Sequence, residues 1–342
     1  MRSSIFSFEH FRHYASLPRS EKLWHVSLAC ALSGIALLSL RIPECVYGFY
    51  GCPQETISTA AVRALSQQTE VLFLGSSHIQ WGIRPERYSL RVMNLAGPGM
   101  DYSCMERLAQ THLERVPNLK VAVVEFDELP LVGNTLAALE NDLRPLLERG
   151  LTPCNLPTNN VLVKLKAALY PVLTLPRVTP IHWKSSRAVI NPAQHPPKGF
   201  AAGYFYTESV MPPGYDPQPR FDSRLRKARD HAMTRQNLQA LHRTIDLLRA
   251  RRIPVVLLRI PHHSLSRNNR PALLRGRVNL LRRSIARWYG TAQEVLIWDL
   301  DDAPGFEAHD FFDAEHLNVF GANKLARLLD PRLRALCGRT SR

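Results

Sequence analysis

The stretch VLFLGSSHIQWG, Val71–Gly82, places four apolar residues directly before a glycine, two serines and a histidine. A short unbroken apolar run reads as a strand buried on both faces, the kind found in a parallel sheet covered by helices. The small polar residues after it read as a turn into a helix. Two readings of the serines stand at this point. Ser76 and Ser77 cap the helix, or one of them is a nucleophile.

Outward from this stretch the pattern repeats. Strands are expected at Arg91–Leu95, Val121–Phe126 (VAVVEF), Ile253–Ile260 (IPVVLLRI) and Glu294–Leu300 (EVLIWDL). Between them lie helical faces: Met105, Leu108, Leu113 and Val116, then Leu238, Leu241, Ile245 and Leu248, then about Arg277–Trp288. A last helix is expected around Gly321–Leu329. Strands alternating with helices predict an α/β fold, a three-layer doubly wound sheet of five parallel strands. Ligands of such sheets bind beyond the carboxyl ends of the strands. Ser76, Ser77, Gly97, Gly99, Asp127 and Glu128 all fall there. The predicted domain spans 66–335, with an insertion at about 150–220 where Pro, Gly and Asn break the periodicity (LTPCNLPTNN, NPAQHPPKG, MPPGYDPQP). A short helix is expected near Val161–Leu169. Tyr204, Phe205 and Tyr206 read either as an acceptor groove or as a small local core.

The N-terminus has a different character. Leu23–Leu40 contains no Asp, Glu, Lys or Arg and is long enough for a membrane span. Arg2, Arg12, Arg19 and Lys22 precede it, whereas only Arg41 follows before Arg63. The positive-inside rule then predicts a cytoplasmic segment 1–22, a signal anchor 23–40, a linker 41–65 and a main domain outside the cytoplasmic membrane. Cys45 and Cys52 either pair in that oxidising compartment or remain two thiols.

The 342-residue chain carries a formal charge of +15, and residues 220–290 hold 18 Lys and Arg against 3 Asp, an excess equal to the whole. An anionic partner or a solvated arginine surface both fit. Few aromatics interleave with the charges, so nucleic-acid binding is not expected.

A serine nucleophile needs a base, and the base needs a carboxylate to orient it. Asp313 and His316, three apart in HDFFDAEHLNVFGANKLARLL, supply that pair. Ser77 would attack, His316 would act as base and then acid, and Asp313 would orient it. The backbone N–H groups of Ser77 and Gly99 would face the oxyanion. Ser76, Asn94, Asp127 and Glu128 are further candidates for the cleft. The paired His262 and His263 read either as lining the cleft or, as adjacent loop histidines more often do, as surface residues, and His78 as starting a helix beside the nucleophile and pointing elsewhere. His309, Asp310, Asp313 and His316 lack a standard metal-ligand spacing, and no metal or cofactor is expected.

These motifs carry a resemblance. Val71–Ile79 resembles the first motif of the SGNH (GDSL-type) hydrolase superfamily, with Gly75-Ser76-Ser77 for Gly-Asp-Ser. NLAGPG (Asn94–Gly99) is similar to its glycine block, and DAEHLN (Asp313–Asn318) to its Asp-x-x-His block. The resemblance implies an SGNH/flavodoxin-like fold with Ser77 as the nucleophile. With the anchor, it is strongest to membrane-bound members that serve O-acyltransferases of cell-envelope polymers. It therefore implies a serine esterase or O-acyltransferase acting on an acylated glycan or other envelope ester, with a membrane-bound acyltransferase as a partner. One departure matters. Where the superfamily usually places an asparagine donor after the third strand, this chain has Asp127 and Glu128, and a carboxylate cannot donate to an oxyanion. That departure keeps an alternative open: a non-catalytic envelope protein binding an anionic glycan or an acyltransferase.

Overall fold

The structure is a computed structural model that describes residues 67–133, 199–201, 207–290 and 292–340. The proposed anchor 23–40, the linker 41–65, Cys45, Cys52, the Val161–Leu169 helix and Tyr204–Tyr206 lie outside the described residues. Among the described residues, no helix is long and apolar enough to cross a membrane.

All five expected strands form, each within a residue or two of its expected bounds: β1 Val71–Leu74, β2 Val92–Asn94, β3 Val121–Glu125, β5 Val255–Arg259 and β6 Val295–Asp299. A sixth, β4 Gly199–Ala201, comes from the Pro-rich insertion and pairs with β2, Val92 opposite Gly199. Its three residues are too few to show any periodicity in sequence. Every pairing is parallel, in the order β4-β2-β1-β3-β5-β6.

Alternate residues of each strand enter opposite layers, as the strand period of two requires. Leu72, Leu74, Ala122, Val124, Val255 and Leu257 face one core. Over them pack α2 (Tyr102–His112), α5 (His231–Ala250) and α7 (Ala272–Tyr289), through Met105, Leu108, Leu241, Ile245, Leu281 and Ile285. Val71, Phe73, Val121, Val123, Val256 and Leu258 face the other core. There they meet α1 (Ser77–Gly82) and α8 (Val319–Thr340), through Ile79, Leu325, Leu329 and Leu333. Three further α-helices are described: α3 Glu128–Val132, α4 Gln218–Ala228 and α6 Ser264–Asn269.

Two expectations need correction. The last helix does not stop at Leu329 but runs through Pro331 to Thr340. Proline usually breaks a helix interior, but here Leu333 and Cys337 beyond it remain buried against the sheet, and that packing outweighs the lost hydrogen bond. The basic excess is also not all surface. Arg224, Arg259, Arg270 and Arg277 are buried, and the first three meet carboxylates inside the domain.

The chain moves from β1 to β2 on one side, then returns to β3 on the other. The carboxyl ends of β1 and β3 therefore flank the topological switch point, where doubly wound sheets open a crevice.

Candidate active site

Gly75 leaves β1 where there is no room for a side chain. A Cβ there would lie 2.6 Å from the Ile79 Cβ and 2.8 Å from Glu125 Oε2. We expect Gly75→Ala to cost about 1–3 kcal/mol through overpacking, read as a lowered urea midpoint. An unchanged midpoint would show that the turn yields without strain.

The next residue, Ser76, is fully buried and caps α1, its Oγ accepting from the His78 N–H at 3.3 Å. It also donates its hydroxyl to Glu125 Oε1 at 2.9 Å, and its N–H donates to Glu125 Oε2. Glu125, the last residue of β3, thus clamps the turn between β1 and α1 and leaves Ser77 to open the helix, partly exposed. The two readings of the serine pair are divided between its members: Ser76 caps, and Ser77 is presented.

Ser77 Oγ lies 2.8 Å from His316 Nε2. On the other side of the ring, His316 Nδ1 lies 2.9 and 3.0 Å from the two carboxylate oxygens of Asp313. A carboxylate there accepts a hydrogen bond from the Nδ1–H, so the proton stays on Nδ1 and Nε2 keeps the lone pair that faces the serine hydroxyl. The loop that holds this pair is fixed by its own backbone. Asp313 Oδ1 accepts from the N–H groups of Glu315 (2.8 Å) and His316 (2.9 Å). Asn318 Oδ1 accepts from Phe320 and Gly321 and so caps α8. Residues 239 apart in sequence are brought to one point by the neighbouring ends of β1 and the loop before α8.

Burial disfavours the His316 imidazolium more than Asp313 favours it, so its pKa falls below the ordinary value and the free base prevails at neutral pH. Burial opposes the Asp313 charge, but the His316 hydrogen bond and Arg220 hold that carboxyl well below the usual range. Arg220 was not foreseen. It stands on α4, at the end of the insertion, with Nη2 2.8 Å from Asp313 Oδ2 and Nη1 3.2 Å from His316 Nδ1.

Beneath the triad lies a buried charge network that the sequence reading missed. Arg224 forks onto Glu315 at 2.5 and 2.6 Å. Arg259 and Arg270 both reach Asp301, at 2.9 and 3.1 Å. Asp127 and Glu128 belong to this network rather than to an open cleft, at 1% and 0% exposure. Burial alone would raise Asp127, but the Arg259 charge holds it far below the usual range. Burial and the adjacent Asp127 charge push the Glu128 carboxyl up. His262, expected on the surface, is 3% exposed, with Nδ1 2.7 Å from Asp301. His78 also departs from expectation. Its ring packs edge-on against His316 at 5.3 Å, and its Nδ1 lies 3.1 Å from Glu125. Burial opposes the imidazolium, but Glu125 outweighs it and raises the His78 pKa.

Asn94 serves the scaffold. Its amide donates to the Ile79 and Ile83 carbonyls, both at 3.3 Å, at the end of α1. Gly99 is exposed and has φ +66°, a left-handed conformation that favours glycine. Its loop runs beside the turn that carries Ser76 and Ser77, with the Gly97 N–H donating to the Gly75 carbonyl at 3.0 Å.

Among the described residues, His78, Asp127 and His262 each bring one possible ligand atom within 4.8 Å of the others. Arg259 Nε, 3.5 Å from Asp127, already supplies the positive charge that a cation would bring.

One signal could have found part of the network: a glutamate in VAVVEF, a strand otherwise read as buried on both faces, needs a partner. Arg259, in the apolar strand IPVVLLRI, carries the same mark, whereas Arg224 and Arg270 carry none. No protein-family model matches the chain, and no curated protein matches it.

Proposed function

We propose that this chain is an SGNH-like serine esterase or O-acyltransferase that works through a Ser77 acyl-enzyme. The observation that carries the reading is the unbroken Ser77–His316–Asp313 chain of hydrogen bonds, 2.8 and 2.9 Å long, at the switch point of a parallel sheet. The order of the five strands expected from sequence, β2-β1-β3-β5-β6, is the flavodoxin-like order and supports the same reading.

In this mechanism His316 Nε2 takes the Ser77 proton as Oγ bonds to the ester carbonyl carbon. The oxyanion forms against the N–H groups of Ser77 and Gly99. It collapses as the ester C–O bond breaks, and His316 returns the proton to the departing alcohol. Water or a sugar hydroxyl then attacks the acyl-enzyme by the same steps in reverse. The apolar segment 23–40 and its flanking charges support an anchored domain outside the cytoplasmic membrane. An acylated envelope glycan is then the substrate class, and a membrane-bound O-acyltransferase the partner.

A second reading has its own observation. Asp127 and Glu128, after β3, are buried among arginines and offer no amide donor to an oxyanion. Under that reading the chain binds an envelope glycan or an acyltransferase without turnover.

Fluorophosphonate labelling and p-nitrophenyl acetate hydrolysis by the detergent-purified full chain separate the two. Labelling and hydrolysis that vanish in Ser77→Ala are expected. Equal inertness of the folded wild type and Ser77→Ala would sink the enzyme reading in favour of the binding one.

A further inference from the structure

The triad base is enclosed by rings that the proposed mechanism does not use. Trp81 lies four residues after Ser77 on α1, so both side chains occupy one face of that helix. Its ring centroid is 5.3 Å from that of His316, tilted by 44°. Behind it Phe312, the residue before Asp313, stacks on Trp81 at 5.0 Å and 28°. The pair thus ties the nucleophile's helix to the loop that carries Asp313 and His316.

An indole face attracts a cation by its quadrupole, more strongly when the pair is shielded from water. His316 is 8% exposed, and above its pKa it becomes a cation when it takes the proton of Ser77. Its other neighbours do not favour that charge equally. Asp313 lies 2.9 Å away and favours it, whereas Arg220, 3.2 Å from Nδ1, and His78, at 5.3 Å, oppose it. Ser77 on α1 is neutral, and Glu315 in the same loop is held by the Arg224 fork.

We propose that Trp81, braced by Phe312, is a positioning residue that fixes the His316 ring and stabilises its imidazolium during acyl transfer. This rests on the serine-enzyme reading. Trp81 touches no reacting atom and acts through His316 alone. Removing the indole destabilises the imidazolium, so the base binds its proton less tightly and the transition state is higher.

The test measures the second-order rate of fluorophosphonate labelling against pH in the detergent-purified full chain, for wild type, Trp81→Phe, Trp81→Leu and Trp81→Met. Trp81→Leu and Trp81→Met are expected to label about tenfold more slowly on the alkaline plateau, with the rising limb moved to lower pH. Trp81→Phe should keep most of the rate and the wild-type limb. Trp81→Met fills most of the volume without a π face and serves if the leucine variant does not fold. Folded variants with unmoved limbs and equal losses in Phe, Leu and Met would reduce Trp81 to packing and overturn the proposal, as would unchanged rates in all three. A wild type that does not label would overturn the serine-enzyme reading itself, and with it this one. Labelling by wild type with unmoved Trp81 variants would overturn only the role of Trp81.

Discussion

Asp313→Asn should lower the rate of Ser77 labelling and of ester hydrolysis by about 10⁴, the loss typical when a triad carboxylate becomes an amide. The geometry gives two reasons for so large an effect. Asparagine keeps an Oδ1 that can accept from the Glu315 and His316 N–H groups, so the loop should hold its shape. What disappears is the charge that accepts the Nδ1–H hydrogen bond and steadies the imidazolium. Arg220 makes the loss worse, because its Nη1 remains 3.2 Å from Nδ1. A guanidinium only donates, so it favours the tautomer with a bare Nδ1 and a protonated Nε2. Such a histidine donates to Ser77 Oγ and cannot take its proton. Adding Arg220→Gln to Asp313→Asn should therefore recover part of the rate. Stopped-flow labelling, with circular dichroism to establish the fold, checks both expectations. A folded Asp313→Asn that labels within tenfold of wild type would remove Asp313 from the mechanism.

The second large effect concerns stability. Arg224→Met should destabilise the domain by about 3–5 kcal/mol, because it leaves the Glu315 carboxylate buried without its fork. Glu315 is 0% exposed, and the remaining guanidinium nearby, Arg220, is 3.5 Å away. The double variant Arg224→Met, Glu315→Gln should regain most of the loss, since no charge is then stranded. The same pair sets an acid limb. Burial would raise the Glu315 carboxyl, but Arg224 holds it at about 2, below the ordinary 4.5. A depressed folded pKa stabilises above the unfolded value, and that contribution is lost as pH falls from about 4.5 to about 2. Urea titrations of wild type and Arg224→Met should therefore converge through that window. A gap that stays constant from pH 7 to pH 2 would mean that Glu315 is not the group that Arg224 supports.

The elements that were legible in sequence are those whose signal is local. VLFL, VAVVEF and EVLIWDL announce strands because unbroken apolar runs bounded by turn residues have few other solutions in water. Ser77, Asp313 and His316 could be singled out as candidates because ligands of doubly wound sheets bind beyond the carboxyl ends of the strands, and these residues follow a strand or precede the last helix. β4 and the continuation of α8 past Pro331 were not legible, since contacts with distant segments override the local preference there. The surface reading of His262 failed for the same reason: burial is a property of the assembled layers.

Legible along the chain, then, were the alternation of strands and helices, the covering of a parallel sheet by helices on both sides, and a serine, an aspartate and a histidine that are candidates for one site. The tertiary structure decided which serine is presented, because Glu125 reaches across from β3 to hold Ser76. It alone placed Arg220 on the triad and folded Arg224, Arg259, Asp127 and Glu315 into one buried network. Hydrophobic periodicity repeats along the chain and can be read there. A charged pair depends on two side chains meeting in space, and nothing in the spacing of Arg224 and Glu315, 91 residues apart, marks that they meet.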